Sequence, residues 1–466
     1  MFDKLANIFR VPDLRRRILF TLGLLAVYRL GGHIPTPGIN ADLLQQFFEQ
    51  NRGTVLGYVD LFSGGQLRRL TIFALGIMPY ITSSIILQLM TVVYEPLARL
   101  QKEGELGRRK ITQWTRYLTV VLGAMQAFGI AISLQKSSVA GGTQFVSHPG
   151  NAFLLMTVLT LTTGTAFIMW LGEQITERGI GNGMSLLIFA GIVVGLPHAV
   201  ADLADKVSTS AWGNFTFPAI LLLLVLMIAV VAFIVFVERS ERRIPVQYAK
   251  RVIGRRVMGG QSTHLPLKVN AGGVMPVIFA SSLLTFPQTL GLFFKDNKYL
   301  APIVQQLTWG EPLYTALYAF GIIFFAYFYV SIVFNPADVA DNMRKYGGFV
   351  PGIRPGKRTA DHINEVLTRL TLVGGLYLIL ISIIPEWMIA GIRLNHLPGA
   401  LGAFFERLPT WVTSGLGVTF YFGGTSLLIV VGVAMDTVNQ IESHLIMRHY
   451  DGFTPRSGRI RGRRAW

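Results

Sequence analysis

The sequence predicts an all-α polytopic membrane protein with ten transmembrane helices. Ten apolar runs of about 15 to 24 residues follow one another along the 466-residue chain, and a bilayer core about 30 Å thick needs about 20 such residues per helix. Charged residues make up only 14% of the chain, against roughly 25% in soluble globular proteins. Basic residues are concentrated in alternate connecting segments. These three observations exclude a soluble globular fold.

The spans are recognised by their lack of charge. Arg29 is the only Lys, Arg, Asp or Glu inside them, and it lies one turn from a span end, where a long side chain can reach the interface. Arg15–Arg17 before the first run resemble the start of a signal peptide, but no small-residue cleavage pattern follows, so an uncleaved span is predicted. Spans 1 to 10 are Ile18–Gly32, Thr71–Tyr94, Tyr117–Gln135, Ala152–Gly172, Met184–Val200, Phe217–Val237, Ala271–Phe294, Leu313–Phe334, Leu370–Pro385 and Leu416–Met435.

The net charge of +17 lies almost entirely on one side of the membrane. Ten spans place both termini on the same side, and the segments on that side hold 32 of the 42 Lys and Arg residues. The positive-inside rule therefore predicts cytoplasmic termini. The same charge attracts anionic lipids, so it is not by itself a sign of nucleic-acid binding.

Span counting also predicts two halves of five spans each. Residues 1–202 would hold spans 1 to 5, and residues 203–466 would hold spans 6 to 10, the cytoplasmic loops 238–270 and 335–369 and a basic C-terminal tail. An odd number of spans per half makes the halves inverted relative to each other, a common transporter design.

Enzyme and pump machinery is missing from the sequence. The chain has no Cys, which excludes a thiolate metal site and a thiol nucleophile, and it has no G-x-x-x-x-G-K-[ST] or H-E-x-x-H motif. The glycine-rich segment Gly179–Gly183 follows an apolar helix rather than a strand, so a structural turn is predicted there. No catalytic residue, metal or cofactor is expected, and any transport would take its energy from a partner.

The two long cytoplasmic loops predict ordered protrusions. The segment that starts at Arg242 alternates polar and apolar residues, which predicts a β-hairpin with a basic tip. Glycines and prolines in the second loop restrict its backbone around Arg354. Solvated charge that follows the topology rule is one explanation; two stiff basic protrusions on one face favour docking of a large acidic partner.

Two features of the first half leave alternatives open. In residues 57–73, Asp60 or Ser63 could cap a short helix interrupted by Gly64–Gly65, either re-entrant and lining a cavity or lying on the membrane surface. Several spans carry isoleucines four residues apart, which share a helical face. Ordinary core packing or lipid contact explains such pairs without any function.

Six motifs in order along nearly the whole chain resemble the SecY family, the pore subunits of the bacterial Sec protein translocase. The matching segments are Phe73–Ile81, Glu103–Ile111, Glu177–Gly183, Arg242–Ala249, Gln261–Asn270 and Phe349–Gly356. The resemblance implies a clamshell of two halves around an hourglass pore. Its hinge lies between spans 5 and 6, its lateral gate lies between spans 2–3 and 7–8, and a re-entrant plug helix closes the pore.

The resemblance also assigns residues to these parts. The pore ring would be Ile81, Ile85, Ile188, Ile192, Ile278 and Ile429, with the register in span 2 the least secure part of the alignment. The plug would include Asp60, Leu61, Phe62, Ser63, Gly64, Gly65, Leu67 and Leu70. Docking residues would be Arg242, Arg243, Arg255, Arg256 and Arg354, and the lateral gate would include Gln126, Asn270 and Phe286.

The function implied is a protein-conducting channel, not an enzyme, in the cytoplasmic (inner) membrane of a bacterium. It would translocate unfolded secretory polypeptides and release transmembrane segments sideways into lipid. The implied partners are the small membrane subunits SecE and SecG, the motor ATPase SecA, the ribosome with its nascent chain, signal peptides and anionic lipids.

Two other classes of membrane protein remain as alternatives. A secondary carrier for an apolar or zwitterionic solute would place ionisable residues at mid-membrane, and these spans have almost none. A scaffold or insertase without a pore would differ in having no central isoleucine ring.

Overall fold

Each of the ten predicted spans overlaps one helix in a computed structural model of the chain. The helices of the first half are α1 Pro12–Gly31, α2 Ala41–Gln50, α3 Met78–Val93, α4 Glu95–Lys102, α5 Glu105–Lys136, α6 Asn151–Arg178 and α7 Gly183–Ser208. The structure describes residues 11–50, 63–136, 145–208, 216–248, 251–253, 256–258, 262–291, 306–307, 311–390 and 424–451.

The second half adds further helices and five short strands. Its helices are α8 Thr216–Arg239, α9 Met275–Gly291, α10 Pro312–Val333, α11 Pro336–Lys345, α12 Lys357–Ala390 and α13 Gly424–Asp451. Its strands are β1 Glu241–Tyr248, β2 Arg251–Ile253, β3 Arg256–Met258, β4 Ser262–Lys268 and β5 Gly348–Phe349.

Helix starts follow local sequence signals. Helices α1, α10 and α11 each begin at a proline, whose missing N–H would have no partner in a first turn anyway. The Asn335 side chain caps α11 by accepting a hydrogen bond from the backbone N–H of Ala337 at 3.1 Å. Pro96 has no backbone N–H and so interrupts the helical hydrogen bonds between α3 and α4. The two helices meet at an angle of 104°.

Length and hydropathy alone identify fewer spans in the structure than in the sequence. Among the described residues, four helices are long and apolar enough to cross a membrane, namely α5, α6, α10 and α12, and the bent pair α3–α4 makes a fifth. The apolar stretches at Gly183–Pro197 and Met275–Leu284 are shorter.

Span 2 starts later as a helix than its apolar run predicts. Residues Thr71–Ile77 are not helical, and Gly76 adopts a φ of +58° just before α3. The backbone of this stretch pairs with the segment after α1 instead. The Ile72 N–H donates to the Ile34 carbonyl at 3.0 Å, and the Thr36 N–H donates to the Leu70 carbonyl at 2.8 Å. Irregular backbone at membrane depth is thereby satisfied within the protein.

The helices of each half pack mainly on one another. In the first half, α5 packs against α3 and α6, and α6 packs against α7 and α1. In the second half, α10 lies between α9 and α12, while α13 contacts α12 and α8.

The two halves meet along two separate sides. On one side, α9 contacts α3 and α5. On the other side, α7 contacts α13 and α8. A single hydrophobic cluster connects both halves and includes side chains from α1, α3, α6, α7, α8, α9, α10, α12 and α13.

The two long loops 238–270 and 335–369 form one sheet rather than two separate protrusions. The predicted hairpin is confirmed, since β1 pairs antiparallel with β4 and places Ile244 opposite Leu265. Strand β5 of the second loop joins the other edge of β1, with Gln247 opposite Phe349, so the strand order is β4-β1-β5. The buried face of this unit packs on α10, α11 and α12 through Ile244, Val246, Leu267, Val330, Met343, Val350, Ile363 and Leu367.

Candidate functional site

The isoleucines assigned to the pore ring lie on four of the six helices along which the two halves meet. Each is at most 7% exposed, and all belong to the cluster that joins the halves. Helices α3 and α9 supply one side and α7 and α13 supply the other. The residues are Ile81, Ile85, Ile188, Ile192, Ile278 and Ile429. Their side chains therefore face the interior of the bundle rather than lipid.

A cavity of about 390 Å³ borders this isoleucine cluster. Ile81, Ile188 and Ile278 line it together with polar residues of the first half, among them Gln88 and Asn182. In its wall, Arg116 of α5 pairs with Glu173 of α6 at 2.8 Å. The predicted topology places these polar residues on the cytoplasmic side of the three isoleucines.

The described part of the predicted plug packs inside the protein. The Ser63 hydroxyl oxygen accepts a hydrogen bond at 3.2 Å from the backbone N–H of Leu67, the first residue of the 3₁₀ turn Leu67–Arg69. Ser63, Leu67 and Leu70 are buried, which supports the re-entrant interpretation over a helix on the membrane surface. The predicted plug residues Asp60, Leu61 and Phe62 lie outside the described residues.

Gly64 brings the plug segment against the helix that carries two of the isoleucines. Its φ is +72°, and a Cβ at Gly64 would lie 2.8 Å from the Cα of Gly191 on α7. Gly191 lies between Ile188 and Ile192 along the chain. The glycine that follows, Gly65, also has a positive φ, of +77°. The backbones can approach this closely only because both contacting residues lack a side chain.

We expect Gly64→Ala to raise the ion leak of the idle protein several-fold. The added methyl group cannot fit beside Gly191, so the plug segment must move away from α7. The measurement is conductance in planar bilayers. Gly104→Ala is the matched control, since Gly104 has a similar φ of +78° but no heavy atom within 4 Å of an added Cβ. Equal conductance in the two variants would contradict the prediction.

Two contacts of this region escaped sequence reasoning. Arg29 is half-buried and donates from Nη1 to the Gly64 carbonyl at 3.4 Å, although its position one turn from a span end predicts a side chain that reaches the membrane interface. Gly191 carries only a weak signal, a small residue between two isoleucines of an apolar span.

Residues assigned to the lateral gate have varied surroundings. Gln126 is half-buried on α5, which contacts α9. Asn270 is 6% exposed, and its Nδ2 donates to Glu238 Oε1 at 2.7 Å and to the Gly273 carbonyl at 3.0 Å. Phe286 lies on α9, but its side chain is outside the described part of the structure. The gate assignments of all three residues stay predictions.

Burial raises the pKa of the Glu238 carboxyl, just beyond the predicted end of span 6. The hydrogen bond from Asn270 opposes this increase, nearby Asp436 adds to it, and Lys268 lowers it. A raised pKa means that the folded state favours the protonated form. The stability linked to this group is thus complete below the ordinary carboxyl pKa of about 4.3 and is lost as the pH rises through the raised value.

We therefore expect Glu238→Gln to increase thermal stability slightly at pH 7. The amide oxygen can still accept the hydrogen bond from Asn270, and no buried charge remains. The unfolding midpoint in detergent should exceed that of the unmodified protein at neutral pH, and the difference should disappear near pH 4. If the difference between the two unfolding midpoints grew as the pH is lowered, the raised pKa of Glu238 would be refuted.

Three of the basic residues predicted for docking lie in one structural unit, the sheet β4-β1-β5 and the turn that follows it. Arg242 and Arg243 are exposed on β1, and Arg243 Nε donates to Glu241 Oε1 at 2.8 Å. Arg354 is exposed in the turn after β5, where its carbonyl accepts from the Thr359 hydroxyl at 2.9 Å. Because β5 pairs with β1, these residues are held by one unit. Arg256 lies in β3 with its side chain undescribed, and Arg255 is outside the described residues.

Comparison with known proteins identifies the family. The SecY family model matches residues 71–438. The protein translocase subunit SecY of Escherichia coli (strain K12) is 51% identical over 442 residues, which cover 94% of this chain and 93% of that protein. The protein of the same name from Streptomyces griseus is 47% identical over 460 residues, which cover 97% of this chain and all of that protein.

Solved structures support the fold. A structure of a protein conducting channel has a TM-score of 0.62 at 16% identity and covers 97% of this chain and 99% of its own. Sec61 in a canine ribosome–channel complex has a TM-score of 0.59 at 15% identity, with the same coverage. The predicted ten-span, all-α membrane fold is thereby confirmed, as is the prediction of a channel subunit rather than an enzyme. The chain belongs to the SecY family of protein translocase subunits.

Proposed function

We propose that this chain forms the pore through which unfolded polypeptides cross the cytoplasmic membrane of a bacterium. One observation carries the proposal: six isoleucines from four helices of both halves belong to the one buried cluster that joins the halves. A polar cavity borders this cluster, and the segment Ser63–Leu70 packs against α7 at Gly191. A constriction between a vestibule and a plug is the arrangement that a gated polypeptide channel requires.

The physical properties of isoleucine suit this constriction. Its branched side chain is bulky and has no polar atom that could hold a passing peptide group. A narrow apolar ring therefore offers every residue of the threaded polypeptide a weak, similar contact. When the channel is idle, such a ring also excludes water and ions by dewetting. The plug segment adds a second barrier on the outer side.

Lateral release would use the side on which α9 contacts α3 and α5. Separation of these helices would expose a translocating segment to lipid. The segment then partitions between the channel and lipid according to the transfer free energies of its residues. At the centre of the membrane, each Leu favours insertion by about 0.5 kcal/mol and each Arg opposes it by about 3 kcal/mol. We infer that residues 1–202 and 203–466 are the two moving halves, hinged on the side where α7 contacts α8 and α13. The contacts along two separate sides support this division.

Partner proteins would supply the energy for translocation and complete the membrane complex. The exposed Arg242, Arg243 and Arg354 on one sheet support docking of a large acidic partner, a translating ribosome or the motor ATPase SecA. The sided basic charge supports cytoplasmic termini and contact with anionic lipids. The small subunits SecE and SecG complete the proposed set, together with signal peptides as the recognised part of the substrate.

Reconstitution tests this function directly. Proteoliposomes that contain the chain with its small subunits, SecA and ATP should protect a secretory precursor from added protease. A precursor without its signal sequence should remain accessible. Precursor that stays fully digested under all conditions, combined with uptake of a small zwitterionic solute, would establish the carrier alternative instead.

A further inference from the structure

We propose that the glycine-rich loop Gly179–Gly183 and Gln440 form a cytoplasmic pivot about which the two halves turn. The inference rests on the proposed clamshell function and extends it to a loop that sequence analysis explains only as a turn. The Gly181 N–H donates to Gln440 Oε1 at 2.9 Å, and this bond joins the loop between α6 and α7 to α13 of the other half.

The loop is built so that its backbone can pack against four helices. A Cβ at Gly179 would lie 2.4 Å from Thr21 Oγ1 of α1, and a Cβ at Gly183 would lie 1.9 Å from the Gly172 carbonyl oxygen of α6. Gly181 has a φ of +88°, which favours glycine. Side chains at these positions would push the loop away from its neighbours.

Hydrogen bonds attach the same loop firmly to the first half. The Ile180 N–H donates to the Thr21 hydroxyl oxygen at 3.1 Å, and the Gly183 N–H donates to the Thr176 hydroxyl oxygen at 2.9 Å. Ile180 itself is buried. The loop therefore moves with α1, α6 and α7, and its bond to Gln440 is a contact between a rigid element of one half and a side chain of the other.

Gln440 lies on the face of α13 that meets α7. Ile429, Val433, Thr437 and Gln440 are spaced by four, four and three residues, so they share one helical face. A cavity of about 380 Å³ between the halves is lined by Val433, Thr437 and Gln440 together with Asn182 and Ser185 near the start of α7. The hydrogen bond between Gly181 and Gln440, here called the tie, thus holds α13 and α7 in register at their cytoplasmic ends. It lies three helical turns from Ile429.

The position of this tie explains why it would act as a pivot. Opening of a lateral gate separates α9 from α3 and α5, whereas the opposite side, where α7 contacts α13, must stay together or the ring would come apart. A fixed point at the cytoplasmic end of the α7–α13 contact lets the halves rotate without separating there.

The absence of native cysteine allows a direct test by spin labelling in the complete complex. One pair of introduced cysteines, at exposed Arg178 and Val438, reports the pivot side. A second pair, at exposed Met125 on α5 and Leu283 on α9, reports the gate side. On addition of a synthetic signal peptide with a leucine-rich core to the complex in nanodiscs, the gate-side distance should increase while the pivot-side distance stays constant. Equal changes at both sides would overturn the pivot.

Variants of Gln440 separate the hydrogen bond from simple packing. Gln440→Leu removes the acceptor and should broaden the pivot-side distance distribution, with about a five-fold rise in idle conductance, as expected for the loss of one hydrogen bond. Gln440→Glu keeps an acceptor and should behave like the unmodified protein, as should Asn439→Leu on the same helix.

Two outcomes of these measurements have different meanings. If Gln440→Leu leaves both distances and conductance unchanged while precursors are still translocated, the pivot is refuted and the channel function stands. If no precursor is translocated and neither distance responds to the signal peptide, the proposed function fails, and the pivot fails with it.

Discussion

Replacing Ile429 with Asn is expected to raise the ion conductance of the idle channel by about ten-fold and to admit precursors with defective signal sequences. Ile429 is fully buried in the cluster between the halves, so an amide there adds a polar group to an apolar constriction. Burying such a group without a hydrogen-bond partner costs about 1–3 kcal/mol, which weakens the closed state and lets water enter. Ile278→Asn on α9 should act in the same direction.

The matched control is Ile429→Leu. This substitution keeps the volume and the apolar character of the side chain, so conductance should stay close to that of the unmodified channel. Conductance is measured in planar bilayers, and selectivity is measured as protease protection of a precursor with a charged residue in its signal core. If the Asn and Leu variants leak equally little and reject that precursor equally well, Ile429 has no role in the seal.

Replacing Arg354 with Glu should reduce motor-driven translocation by about ten-fold while the protein stays folded and inserted. The side chain of Arg354 is exposed, and its carbonyl oxygen makes the hydrogen bond with Thr359, so reversal of the charge leaves the turn intact. Opposite charges across an interface accelerate association and contribute up to several kcal/mol when they are close. The variant replaces attraction to an acidic partner with repulsion.

Arg108→Glu is the matched control for Arg354. It makes the same charge change at an exposed residue of α5, on the same predicted face of the membrane but outside the sheet unit. The rate at which SecA drives a precursor into protease protection is compared for the two variants at low and at high salt. Salt screens exposed charges, so the difference between the variants should be smaller at high salt. Equal rates for the two variants at low salt would show that Arg354 does not contribute to docking.

Much of the architecture follows from local sequence signals. Apolar runs locate every span, Pro312 and Pro336 mark helix starts, and alternation from Arg242 onward predicts the strand that pairs with β4. Each of these features depends on residues that are near one another in the chain.

Other features depend on partners that are distant in the chain. Thr71–Ile77 is apolar enough to continue span 2 as a helix, yet its backbone bonds to the segment after α1. Strand β5 is only two residues long and pairs with a strand about 100 residues earlier, so no periodic pattern identifies it. The contact between Gly64 and Gly191 likewise leaves no sign beyond two glycines.

By itself, the sequence determined the membrane class, the number and order of the spans, and the sidedness of the charge, because hydropathy and charge are properties of each segment in isolation. Tertiary structure decided that six isoleucines of four helices lie in one buried cluster and that two loops build one sheet. An isoleucine is as stable against lipid as against another isoleucine, so only the packing of whole helices selects which apolar faces meet.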